Sequence, residues 1–244
     1  MSSVRPIHSH QYRSKKTSAA DKEVINDSAT GEFIDRDGER YYAIRNVDQM
    51  PVFFISVVSS SDHWLFISSN GGLTAGRVSA DYALFPYVTV DKIYDSVLNT
   101  GSKTVVRITN AAGNVLWQPF NPEHRALFKL ERNLYKNLLG NRLCFEEINH
   151  DLGLEFRCTW TSSDEFGFVR DAELVNTGSS RVQVELLDGL QNILPANAPR
   201  SLQNTSSNLI DAYKWSELDE LSGLASFSLF SGITDRAEPC ESLT

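Results

Sequence analysis

The chain lacks most of the features that would place it at once. No apolar run approaches the roughly 20 residues of a membrane-spanning helix. The first twenty residues have no apolar segment of the kind a secretory signal needs. Cysteine is scarce: Cys144, Cys158 and Cys240 are an odd number, widely spaced, with no CxxC pair. A disulfide framework is therefore not implied, and a reducing cytoplasm is the expected setting. No local ligand spacing suits zinc, so neither a metal nor a cofactor is expected. Helix-borne HExxH, a nucleophile elbow, a Ser-His-Asp order and a reactive-cysteine setting are all missing. Repeats and low-complexity tracts are missing too.

What the chain does have is acid and strand pattern. Its 244 residues carry a net charge of -8 and are 41% hydrophobic, ample for a globular core. Residues 1–30 read as a flexible basic leader, because Arg5, Arg13, Lys15 and Lys16 meet no acid in the first twenty residues. Residues 21–244 hold 19 basic and 31 acidic side chains, a net of -12. An acidic body argues against nucleic acid and anionic membrane as partners and fits a neutral substrate or a protein neighbour.

Strand signals dominate residues 31–244, which read as one domain. Asp37-Gly38 is a hairpin turn between Glu32-Phe33-Ile34 and Tyr41 to Ile44. Pro51 to Val58 is an apolar run suited to a strand buried on both faces, followed by Asp62 to Ser68. Lys103 to Thr109 and Val115 to Trp117 make a further hairpin. Asn133 to Leu139 and Arg142 to Ile148 flank Gly140-Asn141. Leu152 to Thr161 alternates, with Leu154, Phe156, Cys158 and Trp160 on one face and Glu155, Arg157 and Thr159 on the other. Phe166 to Asn176 and Arg181 to Leu187 extend the same large antiparallel sheet. Helix signals are few: Ser207 to Leu218 is the best, and Pro122 to Phe128 could form a turn or two. Ala225 to Phe230 reads as one more strand.

The segment Ser68 to Ser96 stands apart. Three glycines (Gly71, Gly72, Gly76), Arg77 and the aromatics Tyr82, Phe85, Tyr87 and Tyr94 keep neither helical nor strand period. It reads as a long glycine-hinged surface connection, either functional or a cover for the end of a sandwich. Gly71-x4-Gly76-Arg77-Val78 misses the phosphate loop, since Arg77 and Val78 stand where Lys and Ser or Thr are needed.

Three strings resemble one family: Asn70 through Lys103, Arg132 to Asn137 with Phe145 to His150, and Leu186 to Pro195. Together they resemble the N-terminal region of proteins related to cellobiose phosphorylases. There a β-supersandwich of galactose-mutarotase-like architecture precedes an (α/α)6 catalytic barrel. The resemblance implies an all-β supersandwich of large antiparallel sheets, truncated from a longer protein, with the general acid and most phosphate ligands in the absent barrel. It implies a non-catalytic module that docks to such a barrel in cis or trans. Oligosaccharide and a second copy of the chain are further candidate partners.

The candidate ligand contacts are Arg77, Tyr87, Asp91, Lys92 and Trp117. Trp117 precedes Gln118-Pro119-Phe120 at a strand end and reads as the exposed indole, while Trp64 and Trp160 read as core. The enzymatic alternative is a mutarotase-like epimerase in which Glu146 or Glu147 works with His150. A carbohydrate-binding protein without catalysis is the third reading. His63, His124 and His150 are scattered, and Asp164-Glu165 reads as a solvated loop tip. Asp188, in an apolar run, needs partners; it anchors its loop or touches a ligand. The sequons at Asn26 and Asn204 carry little weight without a secretory signal.

Overall fold

The computed structural model describes residues 28–89, 91–110, 113–195, 198–229 and 241–243. Most of the basic leader, Cys240 and Phe230 lie outside the described residues. The chain opens with a hairpin, β1 (Thr30–Arg36) and β2 (Glu39–Arg45), closed by Asp37 and Gly38 at φ 52° and 78°. Two successive left-handed residues match the right-handed strand twist, which is why Asp-Gly sits there. β3 (Phe54–Val57), β4 (His63–Ser68) and β5 (Leu73–Arg77) form an antiparallel meander. β6 (Gly101–Asn110) and β7 (Gly113–Trp117) make a second hairpin. Then β8 (Leu130–Asn137), β9 (Arg142–Asn149), β10 (Leu154–Ser163) and β11 (Gly167–Asn176) pair in succession. β12 (Gln183–Gln191) follows, then two short helices, α1 (Arg200–Thr205) and α2 (Ser207–Tyr213). β13 (Lys214–Leu218), β14 (Ala225–Leu229) and β15 (Glu241–Leu243) form a final small sheet.

The protein is an all-β sandwich, as its strand pattern predicts. One layer is a six-stranded sheet in the order β1-β2-β8-β9-β10-β11. Its inner face presents Leu134, Leu143, Phe145, Leu154, Phe156, Cys158 and Trp160. These pack in one cluster with Ile55, Leu65, Ile67 and Leu73 of the meander and with Val106, Ile108 and Trp117 of the β12-β6-β7 sheet. The alternation read along β10 holds residue for residue on this face. The opposite face is not simply solvated: Tyr41, Ala43, Tyr135 and Cys144 form a second buried cluster there.

Four local expectations are corrected. The strand β12 leaves the large sheet and pairs with β6 over nine positions, Gln183↔Thr109 to Gln191↔Gly101. An interlayer ion pair sets this path: Arg170 of β11 donates two hydrogen bonds to Asp188 of β12, at 2.8 and 2.7 Å. The helical pattern over 207–218 stops at Tyr213, because Lys214 to Leu218 pair with β14 instead. Backbone pairing there overrides a weak helical preference. β3 is buried on one face only, with Ile55 and Val57 inside and Phe54 exposed. Finally, part of the glycine-hinged segment is an ordinary hairpin strand, since Leu73 to Arg77 pair with β4. Its glycines serve close packing: a Cβ on Gly76 would lie 2.5 Å from the Trp64 ring and 2.6 Å from the Tyr82 carbonyl oxygen. Gly72 is likewise too close to the Ile93 carbonyl to carry a side chain.

The shared core predicts a graded response to truncation. Phe156→Ala, at 1% exposure, is expected to cost about 3–5 kcal/mol in urea unfolding. Phe166→Ala, at 73% exposure, should stay within about 0.5 kcal/mol. Similar losses at the two positions would mean that the two layers do not share a core.

Candidate functional site

The two adjacent carboxylates of β9 point to opposite faces of the large sheet, as strand alternation requires. Glu147 faces inward and has no exposed surface. Its carboxylate accepts from Trp117 Nε1 at 2.7 Å, from the Phe120 backbone N–H at 2.8 Å and from Arg132 Nε at 2.6 Å. Arg132 also donates to the Asn121 carbonyl at 2.7 Å. Three donors, one of them cationic, explain how a charge is tolerated inside the sandwich. They also hold the turn after β7, where Phe120 adopts φ 65°. The expectation of an exposed Trp117 is therefore corrected. The indole is fully buried, because its N–H finds a carboxylate and its ring fills the core. No face of it is open to a sugar.

Glu146 faces outward yet is also buried. It accepts from Tyr135 Oη at 2.5 Å, Asn133 Nδ2 at 2.8 Å and Arg157 Nε at 3.0 Å. Burial alone would raise its pKa, but these three hydrogen bonds outweigh it and hold the carboxyl below its ordinary range. Arg157 also pairs with Glu155 and, at 3.0 Å, with Glu173. Burial, followed by the Glu146 charge, pushes Glu155 upward.

Glu146 and His150 do not meet as a catalytic pair. His150 Nε2 instead lies 3.5 Å from Glu131. His63 Nδ1 is 2.8 Å from Ser61 Oγ and its ring meets Phe168 edge-on. His124 is buried in the turn after β7, with Nδ1 accepting from the Gln118 N–H at 3.2 Å. Burial lowers its pKa. Among the described residues no group of histidine, cysteine, aspartate and glutamate could hold a metal ion. No helix among them is long and apolar enough to cross a membrane.

Asp188 is an anchor, held chiefly by side chains, with a backbone hydrogen bond from Gly189 beside them. Beyond the two Arg170 bonds it accepts from Thr104 Oγ1 at 2.6 Å, while Arg170 Nε donates to Ser102 at 2.9 Å. Burial works to raise the Asp188 pKa, but the Arg170 and Thr104 hydrogen bonds win and lower it.

The main cavities beside the core draw none of their lining from Arg77, Tyr87, Asp91 or Lys92. Arg77 is exposed at the end of β5. Tyr87 lies half-buried, edge-on to Trp64 at 6.0 Å and beneath the Arg200 guanidinium at 5.7 Å. Asp91 and Lys92 are exposed in a turn, and a side-chain hydrogen bond from Thr89 lowers the Asp91 pKa. Trp64 is half-buried rather than core; it stacks on Phe66, which in turn packs against Phe54. This aromatic row lies on the outer face of the meander. Its signal was the period-2 placement of Trp64 and Phe66.

A cavity of about 330 Å³ opens beside the Glu147 network. Asp48, Arg125, Arg132, Ser69, Met50 and Phe120 line it, among others. Asp48 Oδ2 pairs with Arg125 and lies 3.9 Å from Arg132. Asp48 Oδ1 is buried with no hydrogen-bond partner. Sequence reasoning missed this site, because Asp48, Phe120 and Arg132 are distant in the chain and carry no motif.

Comparison with protein-family models and with curated proteins finds none that matches this chain.

Glu147→Gln is expected to destabilise the fold by about 3–5 kcal/mol, since it leaves the buried Arg132 without its nearer charge partner. Glu173→Gln at the exposed end of the outer cluster should change stability by about 1 kcal/mol or less. Chemical denaturation of the two variants checks both; equal effects would remove Glu147 from its structural role. His124 gives a pH prediction. Its folded pKa is depressed, so the unfolded chain takes up the proton first. Its contribution is fully present above the unfolded value of about 6.5 and is lost as pH falls below it. The melting-temperature gap between wild type and His124→Gln should therefore narrow between about pH 7 and pH 5. A constant gap would show that His124 takes up its proton as readily folded as unfolded.

Proposed function

We propose that this chain is a non-catalytic module of a carbohydrate-active protein resembling the glycoside phosphorylases. In this reading it docks against a helical-barrel catalytic domain through an open sheet edge. The observation that carries the reading is the edge strand β12, which pairs with β6 on one side and with no described strand on the other. Leu186 and Leu187 point to its two faces and are 50% and 71% exposed. An unpaired edge flanked by leucines is a template for a neighbour, and soluble proteins normally blunt such edges. The roles expected of Glu147 and Trp117 at a sugar site have been taken up by the core, which also favours a supporting part.

One observation favours a second reading, sugar epimerisation on the outer face of the large sheet. Glu146 is pushed down and Glu155 up in a single cluster, the arrangement by which paired carboxyls divide acid and base roles. Glu155 would then stand where His150 was expected.

The two readings separate in one set of measurements. The docking reading expects the chain alone to accelerate neither aldose mutarotation nor cellobiose phosphorolysis. It expects co-elution with the helical barrel of a cellobiose phosphorylase stripped of its own β domain, and loss of that complex in Leu187→Lys. Mutarotation by the chain alone that Glu155→Gln abolishes would overturn docking in favour of epimerisation. Absence of any complex would overturn docking outright.

A further inference from the structure

We propose that the open mouth of the sandwich beside Lys136 binds a small monocarboxylate with an apolar body. The inference goes beyond docking and does not rest on it. A second cavity of about 330 Å³ lies there, between the large sheet and the meander, at the low end of the size range for ligand pockets. Strand register builds it. Ile44 pairs with Leu134, Tyr42 with Lys136, and Lys136 in turn with Leu143, so these side chains share the inner face of the sheet. Phe53 and Ile55 close the cavity from the other layer. Leu134, Leu143 and Ile55 are buried and form its floor, whereas Tyr42 and Leu138 stand exposed at its rim.

Charge then selects the ligand. Lys136 is the one charged residue of the lining. Among the described residues its ammonium has neither a salt bridge nor a hydrogen bond. Burial lowers its pKa, and no neighbouring carboxylate acts to raise it, although acids outnumber bases in this chain. A Cβ on Gly140 would lie 3.6 Å from Lys136 Cε and 3.8 Å from Nζ, so the ammonium sits at the β8–β9 turn while its stem covers apolar wall. The other polar side chains of the lining are committed or turned away. Asn137 Nδ2 donates to Asn141 Oδ1 at 2.7 Å, and Asn137 Oδ1 accepts from the Arg142 N–H at 3.0 Å. The Tyr42 hydroxyl leans over Gly31 of β1, on the side of β2 away from β8. One cation at the rim of an apolar floor matches one negative charge on an apolar body. A carboxylate accepts a charge-assisted hydrogen bond from the ammonium and offsets its desolvation. A neutral molecule leaves the ammonium unmet, a cation is repelled, and a phosphate dianion brings charge that one lysine does not balance.

Calorimetry and ligand-observed NMR on the full chain at neutral pH test this with octanoate. The controls are 1-octanol and octylamine, which keep the tail, and acetate, which keeps the charge. Saturable binding of octanoate is expected, about tenfold or more tighter than each control. Lys136→Met keeps the stem and removes the charge; it should weaken octanoate about tenfold and leave the melting temperature at or above that of wild type. Lys129→Met, at an exposed lysine outside the cavity, should leave octanoate binding unchanged. The proposal is overturned if octanoate does not saturate, if any control binds as tightly, if Lys136→Met binds octanoate like wild type, or if Lys129→Met weakens it equally.

Discussion

Glu147 holds the two layers of this sandwich in register. A fully buried carboxylate on the central strand β9 takes hydrogen bonds from the indole of β7, from the backbone of the following turn and from Arg132 of β8. Each donor belongs to a different segment, so the position of the turn, the depth of Trp117 and the orientation of Arg132 all follow from one side chain. An apolar residue here would leave the indole N–H without its acceptor and the guanidinium without its nearest charge partner. A charge is tolerated because its hydrogen bonds are made within the fold.

A second polar tie works at the other end of the interlayer space. Arg170 and Asp188 join β11 to β12 with two parallel hydrogen bonds, and Thr104 and Ser102 complete the set. The apolar cluster supplies most of the burial, but apolar contact is indifferent to register. The two polar ties are directional and select one alignment of the layers. The same directionality shapes the cavity at Asp48. Arg132 is committed to Glu147 and Arg125 to one oxygen of Asp48, while the other oxygen is buried without a hydrogen-bond partner.

Legibility in the sequence tracked the range of the interaction. The Asp37-Gly38 hairpin, the alternation of β10 and the succession β8 to β11 depend on neighbours a few residues apart, and all were readable. Trp117 was misread because its partner is thirty residues away. Lys214 to Leu218 carried a helical spacing that pairing with β14 overrode. The adjacency of Glu146 and Glu147 was visible, yet opposite fates on the two faces were not. One is held by Trp117 and Arg132, the other by Tyr135 and Arg157, and none of these sits in a shared motif.

What the sequence determined by itself is the all-β class, the principal turns and which residues of β10 face inward, because side-chain alternation and turn chemistry act locally. Tertiary structure alone decided that β12 crosses to the second layer with no described strand on its outer side, that Trp117 is buried, and that Asp48 lines a cavity with one oxygen buried and unpartnered. Each of those outcomes is a contact between segments far apart in the chain, and such contacts exist only once the layers have closed on one another.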